Sequence, residues 1–259
     1  MKRIKQTFLK SSVFKAEKTR QFLATQKKLV ALRKMYSRKL PELKNLNTGK
    51  FWDKIFEESK NVERYDAMTR NRMLIVLDMI PIVTATILDI GMGLGLVERH
   101  ILKSGRSIHL FGNDISKKAM DNAKKNLKGD FKQESWEKMT HPASKFDTIL
   151  LLEILEHVPP SKTFKLLNKI HRYLKKRGTL ILSIPVNEGL ESMDSNPNGH
   201  MRIYTKDLIV AELKIAGFKS VLVKELYAFK KYYKFKKLIT KIYKNRWKPN
   251  VLVIKAIKI

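Results

Sequence analysis

Cysteine is absent from all 259 residues, which excludes a disulfide framework and any thiolate metal site and suits a reducing interior. Long apolar runs are missing too. No segment approaches the ~18 consecutive apolar residues of a membrane-spanning helix, and charges interrupt the opening MKRIKQTFLKSSVFKAEKTR where a signal peptide needs an apolar core. A soluble or surface-attached chain is expected. Acidic residues are scarce: 24 Asp and Glu face 54 Lys and Arg, for a net charge of +30. The deficit lies at the ends. Residues 1–60 hold 17 basic and 5 acidic side chains and residues 228–259 hold 11 basic and none acidic, against 26 and 19 in between. Either the ends touch something anionic, or a lysine-biased composition decorates exposed helices. A hydrophobic share of 43% excludes disorder of the whole chain, and neither an internal repeat nor a low-complexity tract is present.

What is there changes character at Pro81. Before it the pattern is helical: Met1 to about Leu40, stopped by Pro41; a loop at Asn45–Gly49; a second piece opening at Phe51–Phe56; and a third from about Glu63 to Ile80. Beyond it, short apolar runs alternate with helical stretches, the pattern of βαβ units and a parallel sheet. The expected strands are Thr86–Ile90, Ser107–Gly112, Asp130–Gln133, Phe146–Leu152, Thr179–Ile184, Phe218–Leu226 and Asn250–Lys258. The expected helices are Leu94–Lys103, Lys117–Leu127, Lys162–Lys175 and Lys206–Ala216. Seven strands with helices on both faces make a Rossmann-like, doubly wound α/β fold.

The segment Ile87-Leu88-Asp89-Ile90-Gly91-Met92-Gly93-Leu94-Gly95 runs a hydrophobic strand into a glycine-rich turn and then into a helix. Glycines there let backbone approach a ligand, and the helix start offers free N–H groups. A dinucleotide fingerprint asks for a third glycine at position 96, which is Leu, and a carboxylate such as Asp89 would repel a pyrophosphate. Asp89 suits instead a ligand carrying an amine and a positive sulfonium. Asp114 ends the second strand, where a carboxylate can accept ribose hydroxyls; the plainer reading is helix capping ahead of Ser116.

DIGMGLG, NDIS, FDTILLLEILEHVPP, GTLILSIP and HMRIYTKDLIVAELKIAGF, in this order and spacing over residues 84–227, resemble the successive motifs of class I S-adenosylmethionine-dependent methyltransferases. The likeness is greatest to the group holding the ubiquinone, menaquinone and glycan-tailoring methyltransferases. It implies a sheet in the order 3-2-1-4-5-7-6 with strand seven antiparallel, and S-adenosylmethionine as cofactor. It also implies that Asp89, Gly91, Met92 and Gly93 surround the methionine end, that Asp114 and Ile115 hold the ribose, and that Glu134 and Ser135 meet the adenine, with Leu152 beside them. Met92 stands where the family has a small residue and is tolerable if its side chain points away. In this reading residues 1–60 are a basic helical extension and residues 61–259 the methyltransferase domain, with 228–248 inserted.

Such a cofactor carries its own leaving group, so few catalytic side chains are needed: they align the acceptor and deprotonate it if it is a hydroxyl. The candidates follow strand four. If residues 153–157 form a helical turn, Glu153, Glu156 and His157 share one face. The Glu-x-x-Glu-His spacing resembles the Mg-binding motif of ubiquinone-pathway O-methyltransferases and of small-RNA terminal 2'-O-methyltransferases, in which a later histidine, here His200, completes the site. Glu153, Glu156, His157 and His200 are thus candidate ligands for Mg, with Mn and Fe equally suited. His157, His200 and Glu153 are candidate catalytic groups, and structural hydrogen bonding is the alternative for all of them. His200, Arg202 and Tyr204 are candidate acceptor contacts unless Arg202 and Tyr204 anchor the loop instead.

The acceptor is expected to be a small molecule, or sugar- or lipid-linked, and methylated at oxygen. Residues 228–248 interleave lysine with Phe229, Tyr232, Tyr233 and Phe235, which suits a lid, a contact with a membrane surface or nucleic acid. The expected location is cytoplasmic, including the inner membrane face. RNA 2'-O-methylation and non-catalytic anion binding on the same fold are the competing readings.

Overall fold

A computed structural model describes residues 45–59, 67–188, 198–229, 236, 238–240 and 247–259, together with Lys27. The helix expected over Met1–Leu40 and most of the lysine and tyrosine insertion lie outside the described residues. Among the described residues, two helices precede the sheet, α1 (Gly49–Ser59) and α2 (Ala67–Met79). Then follow β1 (Thr86–Ile90), α3 (Leu96–Lys103), β2 (His109–Asp114), α4 (Lys117–Asn126), β3 (Asp130–Gln133), β4 (Phe146–Leu152), α5 (Thr163–Tyr173), β5 (Leu174–Pro185), α6 (Lys206–Ile215), β6 (Phe218–Leu226) and β7 (Val251–Lys258).

The strands form one sheet in the order β3-β2-β1-β4-β5-β7-β6. β7 runs antiparallel to both of its neighbours and the remaining pairs are parallel. This is the strand order, with strand seven antiparallel, that the resemblance to class I methyltransferases implies. Because side chains alternate along a strand, its central strands feed two cores. Leu88, Ile90, Ile149, Leu151, Leu180, Leu182, Leu252 and Ile254 pack with α5 and α6 on one face. Ile87, Leu150, Ile181 and Val253 pack with α2, α3 and α4 on the other. Burial on both faces explains why these strands read as unbroken apolar runs.

Several boundaries differ from expectation for local reasons. α3 opens at Leu96, not Leu94, because the turn continues in the left-handed conformation through Gly95. β2 starts at His109, opposite Thr86, and its ladder with β3 extends it to Asp114, opposite Gln133. β5 starts at Leu174, where α5 ends, because Leu174 pairs with Phe146 before the register shifts. Among the described residues, no helix is long and apolar enough to cross a membrane.

Candidate active site

The carboxyl ends of β1, β2 and β4 lie side by side, the place where an open parallel sheet binds its ligands. They open into a cavity of about 400 Å³, within the range of small-molecule sites. Its floor holds Asp89, Gly91, Met92, Gly93, Asp114, Ile115, Ser135, Leu152 and Glu153, and α1 and α2 roof it with Trp52, Phe56, Arg72, Met73 and Val76.

The glycine turn is conformationally committed. Gly91 has φ 75°, and a side chain there would stand 2.1 Å from Ile154 Cδ1, so backbone strain opposes one and Ile154 would have to shift to admit it. Gly93 (φ 55°) lies under the Phe56 ring, which a Cβ would meet at 3.4 Å. Met92, although it borders the cavity, is 7% exposed and packs its sulfur into the space over Gly112.

Asp114 makes the local contact with Ser116 weighed as its plainer role, and a second one across the glycine turn. Oδ1 accepts from the Ser116 amide at 2.8 Å and Oδ2 from the Gly93 amide at 2.9 Å, so the carboxylate braces the glycine turn from the end of β2. Burial pushes its carboxyl up, against the lowering effect of the Ser116 and Gly93 amides. Ser116 itself caps α4, accepting from the Ala119 amide, and donates its hydroxyl to Asp53 of α1. Asp53 also takes the Lys118 amide at 3.0 Å. The roof is thereby tied to the turn that follows Asp114.

Asp89 is 3% exposed, and burial followed by the nearby Glu98 holds its carboxyl well above the usual carboxylate range. Beyond β3, Ser135, Trp136 and Glu137 reach the cavity. Glu134 does not. Its backbone is held, its amide by Asp114 and its carbonyl by the Asn113 side chain at 3.0 Å each, and its side chain is not among the lining groups.

The segment after β4 departs from the expected helical turn. Glu153 has φ 56°, outside helix, and only Leu155–His157 forms a short 3₁₀ turn. Glu153 therefore does not share a face with the next two candidates: Oε1 accepts from Ser183 Oγ at 2.7 Å and Oε2 pairs with Arg72 at 3.0 Å. Glu156, His157 and His200 do converge, with one ligand atom of each within 4.8 Å of the others. Glu156 is 1% exposed and both its carboxylate oxygens lack a hydrogen-bond partner among the described residues. Burial, then Glu153, raises its carboxyl well above the ordinary range. Burial and the adjacent His200 push the His157 imidazole down to about 4, so it is neutral at physiological pH. His200 Nδ1 meets Glu188 at 2.9 Å, which leaves Nε2 for another partner. His157 lines the cavity; His200 and Glu156 stand behind it.

Arg202 and Tyr204, expected among the acceptor contacts, are anchors. Both are buried: the guanidinium donates to Thr163 and Glu212 at 2.8 Å each, and the Tyr204 hydroxyl donates to Glu212 at 3.0 Å. With the Met201 amide bonded to the Glu156 carbonyl, this network fixes the loop that presents His200.

Sequence reasoning missed the roof. Trp52 meets the His157 ring edge-on at 4.9 Å, and Asn47 donates to the Gly199 carbonyl at 2.8 Å. The aromatic spacing Phe51, Trp52, Phe56 was the available signal. Arg72 and Glu98 gave none, since one is an arginine in a lysine-rich chain and the other reads as an ordinary acid in the first turn of a helix.

Residues 87–178 match the family described as methyltransferase domain. A ubiquinone biosynthesis O-methyltransferase of Pelagibacter ubique (strain HTCC1062) is 38% identical over 117 residues, which are 43% of this chain and 46% of that protein. The chain thus spans about half the length of the curated relative it matches. Among solved structures, the fold is similar to a [4+2]-cyclase, SpnF (TM-score 0.63, 17% identity, 81% of this chain and 94% of that one). It is also similar to 1,6-didemethyltoxoflavin-N1-methyltransferase of Burkholderia thailandensis, solved with 1,6-didemethyltoxoflavin and S-adenosylhomocysteine (TM-score 0.59, 17% identity, 84% and 92%). At such identities the likeness is one of fold.

Proposed function

We propose that the chain is a class I S-adenosylmethionine-dependent methyltransferase, which binds S-adenosylmethionine in the cavity below α1 and α2 and methylates an oxygen of an apolar small-molecule or sugar- or lipid-linked acceptor. The observation that carries this reading is the glycine turn braced from the end of β2, Gly93 amide to Asp114 carboxylate at 2.9 Å, inside a cavity with a largely aromatic and aliphatic roof. The Pelagibacter relative's name supports oxygen as the methylated atom. An apolar roof favours a small acceptor over RNA, whose backbone asks for exposed cations and stacking platforms.

When bound, the cofactor supplies a methyl group on a positive sulfonium, ready for in-line transfer. The protein's part is placement. Gly91 and Gly93 let the backbone approach the amino-acid end beside Asp89, and Arg72 of the roof offers a guanidinium to its carboxylate. Asp114 and Ile115 take the ribose, and Ser135 and Leu152 border the adenine. The acceptor lies under Trp52, Met73 and Val76, against His157 and Glu153. His157, with its lowered basicity, accepts a hydrogen bond from the acceptor hydroxyl, and His200, whose Nδ1 meets Glu188, stands behind it.

A second reading rests on the orphaned Glu156 carboxylate. Glu156, His157 and His200 fit a divalent cation: a deprotonated oxygen, two imidazoles and Glu188 orienting one of them from behind. One carboxylate with two imidazoles suits Mn or Fe better than Mg, which prefers oxygen ligands, and Glu153 stands outside the set. A cation there would polarise an acceptor hydroxyl.

Calorimetric titration of the chelator-treated protein with S-adenosylmethionine, S-adenosylhomocysteine and NADH tests the cofactor. Micromolar binding of the adenosyl ligands, weakened at least tenfold by Asp114→Asn, is expected, and a preference for NADH would overturn the reading. Methyl transfer to hydroxylated aromatic and polyprenylated acceptors, followed by mass spectrometry with and without Mn, tests the acceptor and the cation.

A further inference from the structure

The transfer chemistry above gives no task to Glu98. This residue stands in the first turn of α3, is 1% exposed and lines the cavity. Neither of its carboxylate oxygens has a hydrogen-bond partner among the described residues, and neither does Asp89 Oδ1. The two carboxyl groups lie within hydrogen-bonding reach of each other. Ionised carboxylates are acceptors only, so a bond between them requires a proton. The surrounding charges do not replace it. Asp114 adds a third negative group facing Asp89, and Arg99 is the cation acting on Glu98.

We propose that Asp89 and Glu98 share one proton in the ligand-free protein and release it to solvent when the α-ammonium of an adenosyl amino acid enters the cavity, so that Glu98 makes cofactor binding a proton-releasing step. This inference rests on the S-adenosylmethionine reading above. The physical reason is desolvation. Two buried carboxylates, three of whose four oxygens lack a hydrogen-bond partner among the described residues, are costly in an empty site, whereas a cation against them stabilises both ionised forms. Burial acting on both groups raises each carboxyl, in keeping with a retained proton. The charge state of the pair then follows the ligand. An adenosyl compound with the amino-acid end displaces the proton, and one without it, such as 5'-methylthioadenosine, does not.

Linkage fixes the sign of the pH dependence. The ligand binds the deprotonated pair, so affinity for S-adenosylhomocysteine rises with pH, approaching tenfold per unit where release is complete. The useful range is about pH 5.5 to 7.5, where the ligand's own ammonium, with an ordinary α-amino value of about 8, stays charged.

The test is calorimetry of the full chain in buffers of different ionisation enthalpy, with S-adenosylhomocysteine and 5'-methylthioadenosine as probes. For the unmodified protein, release of about one proton is expected with the first and none with the second. Glu98→Gln keeps a donor for Asp89, so its binding should release no proton from this pair and its affinity should stay flat with pH. Binding of S-adenosylhomocysteine without proton release, or equal release in Glu98→Gln, overturns the inference while leaving the cofactor standing. Failure of both adenosyl probes to bind overturns the cofactor reading with it. Should Glu98→Gln not fold, the contrast between the two probes on the unmodified protein decides alone.

Discussion

Asn47 donates its side-chain amide to the carbonyl of Gly199 across 2.8 Å of space and 152 residues of chain. The contact ties the segment leading into α1 to the loop that presents His200, and Asn47 also reaches the His157 carbonyl at 3.3 Å. Gly199 is in the left-handed conformation (φ 68°), and a Cβ there would press on Asn47 Oδ1 at 3.0 Å. The roof and the histidine pair are therefore positioned together. Asn47→Ala is expected to raise the acceptor KM several-fold while changing S-adenosylhomocysteine affinity less than twofold, as steady-state kinetics and titration would show. Equal losses in both would mean that Asn47 supports the whole fold and not the acceptor side.

Asp53 links α1 to the start of α4 through the Ser116 hydroxyl and the Lys118 amide. Those bonds, the Ser116 one first, hold its carboxyl below the usual range. A depressed value stabilises the folded state above the unfolded carboxylate's pKa, near 4, and the contribution is lost as pH falls through the folded value. Asp53→Ala should lower stability by about 1 kcal/mol at pH 7, the ordinary worth of a helix cap. The difference from the parent should shrink below about pH 4, a trend that denaturant melts at pH 7 and pH 3 would reveal.

Much of the sheet was legible because its signals are local and redundant. Thr86–Ile90 and Phe146–Leu152 are apolar runs with an acid at a turn boundary, and both appear at the expected residues. The glycine turn and Asp114 were legible from the ends of two apolar strands, and the strand order is the one that the resemblance of five successive motifs to class I methyltransferases implies. The roof was less legible: the aromatic spacing of Phe51, Trp52 and Phe56 marks an apolar face on α1, but what that face covers is decided by packing between helices, and Arg72 carries no such signal. Glu153 misled for a related reason. The i, i+3, i+4 rule assumes a helix, and the residue adopts φ 56°, which its bonds to Ser183 and Arg72 reinforce.

Gly91 is the tightest point of the turn. Gly91→Ala meets two penalties: left-handed backbone, at about 1 kcal/mol or more, and a collision with Ile154, at about 1–3 kcal/mol. The second is removable and the first is not. Ile154→Ala in the Gly91→Ala background should therefore recover part of the lost thermal stability, so that the double variant is more stable than the sum of the single changes predicts. Strict additivity in a thermal-melt cycle would show that Ile154 does not constrain the turn.

Arg202 and Glu212, both buried and 2.8 Å apart, give the sharpest test of whether the loop before α6 is anchored or binds an acceptor. Removing one partner leaves a buried charge uncompensated, at about 3–5 kcal/mol, whereas replacing both by apolar groups of similar size is often nearly neutral. Arg202→Met and Glu212→Leu should each melt far below the parent. The double variant should be more stable than the sum of the two single losses predicts, yet remain below the parent, because the orphaned Thr163 and Tyr204 hydroxyls cost about 1–3 kcal/mol each when left without a partner. As anchors, the pair should affect methyl transfer only through the position of His200: a double variant that folds should keep its cofactor affinity and most of its kcat. A folded double variant with intact cofactor binding and an acceptor KM raised a hundredfold would return Arg202 to the acceptor site.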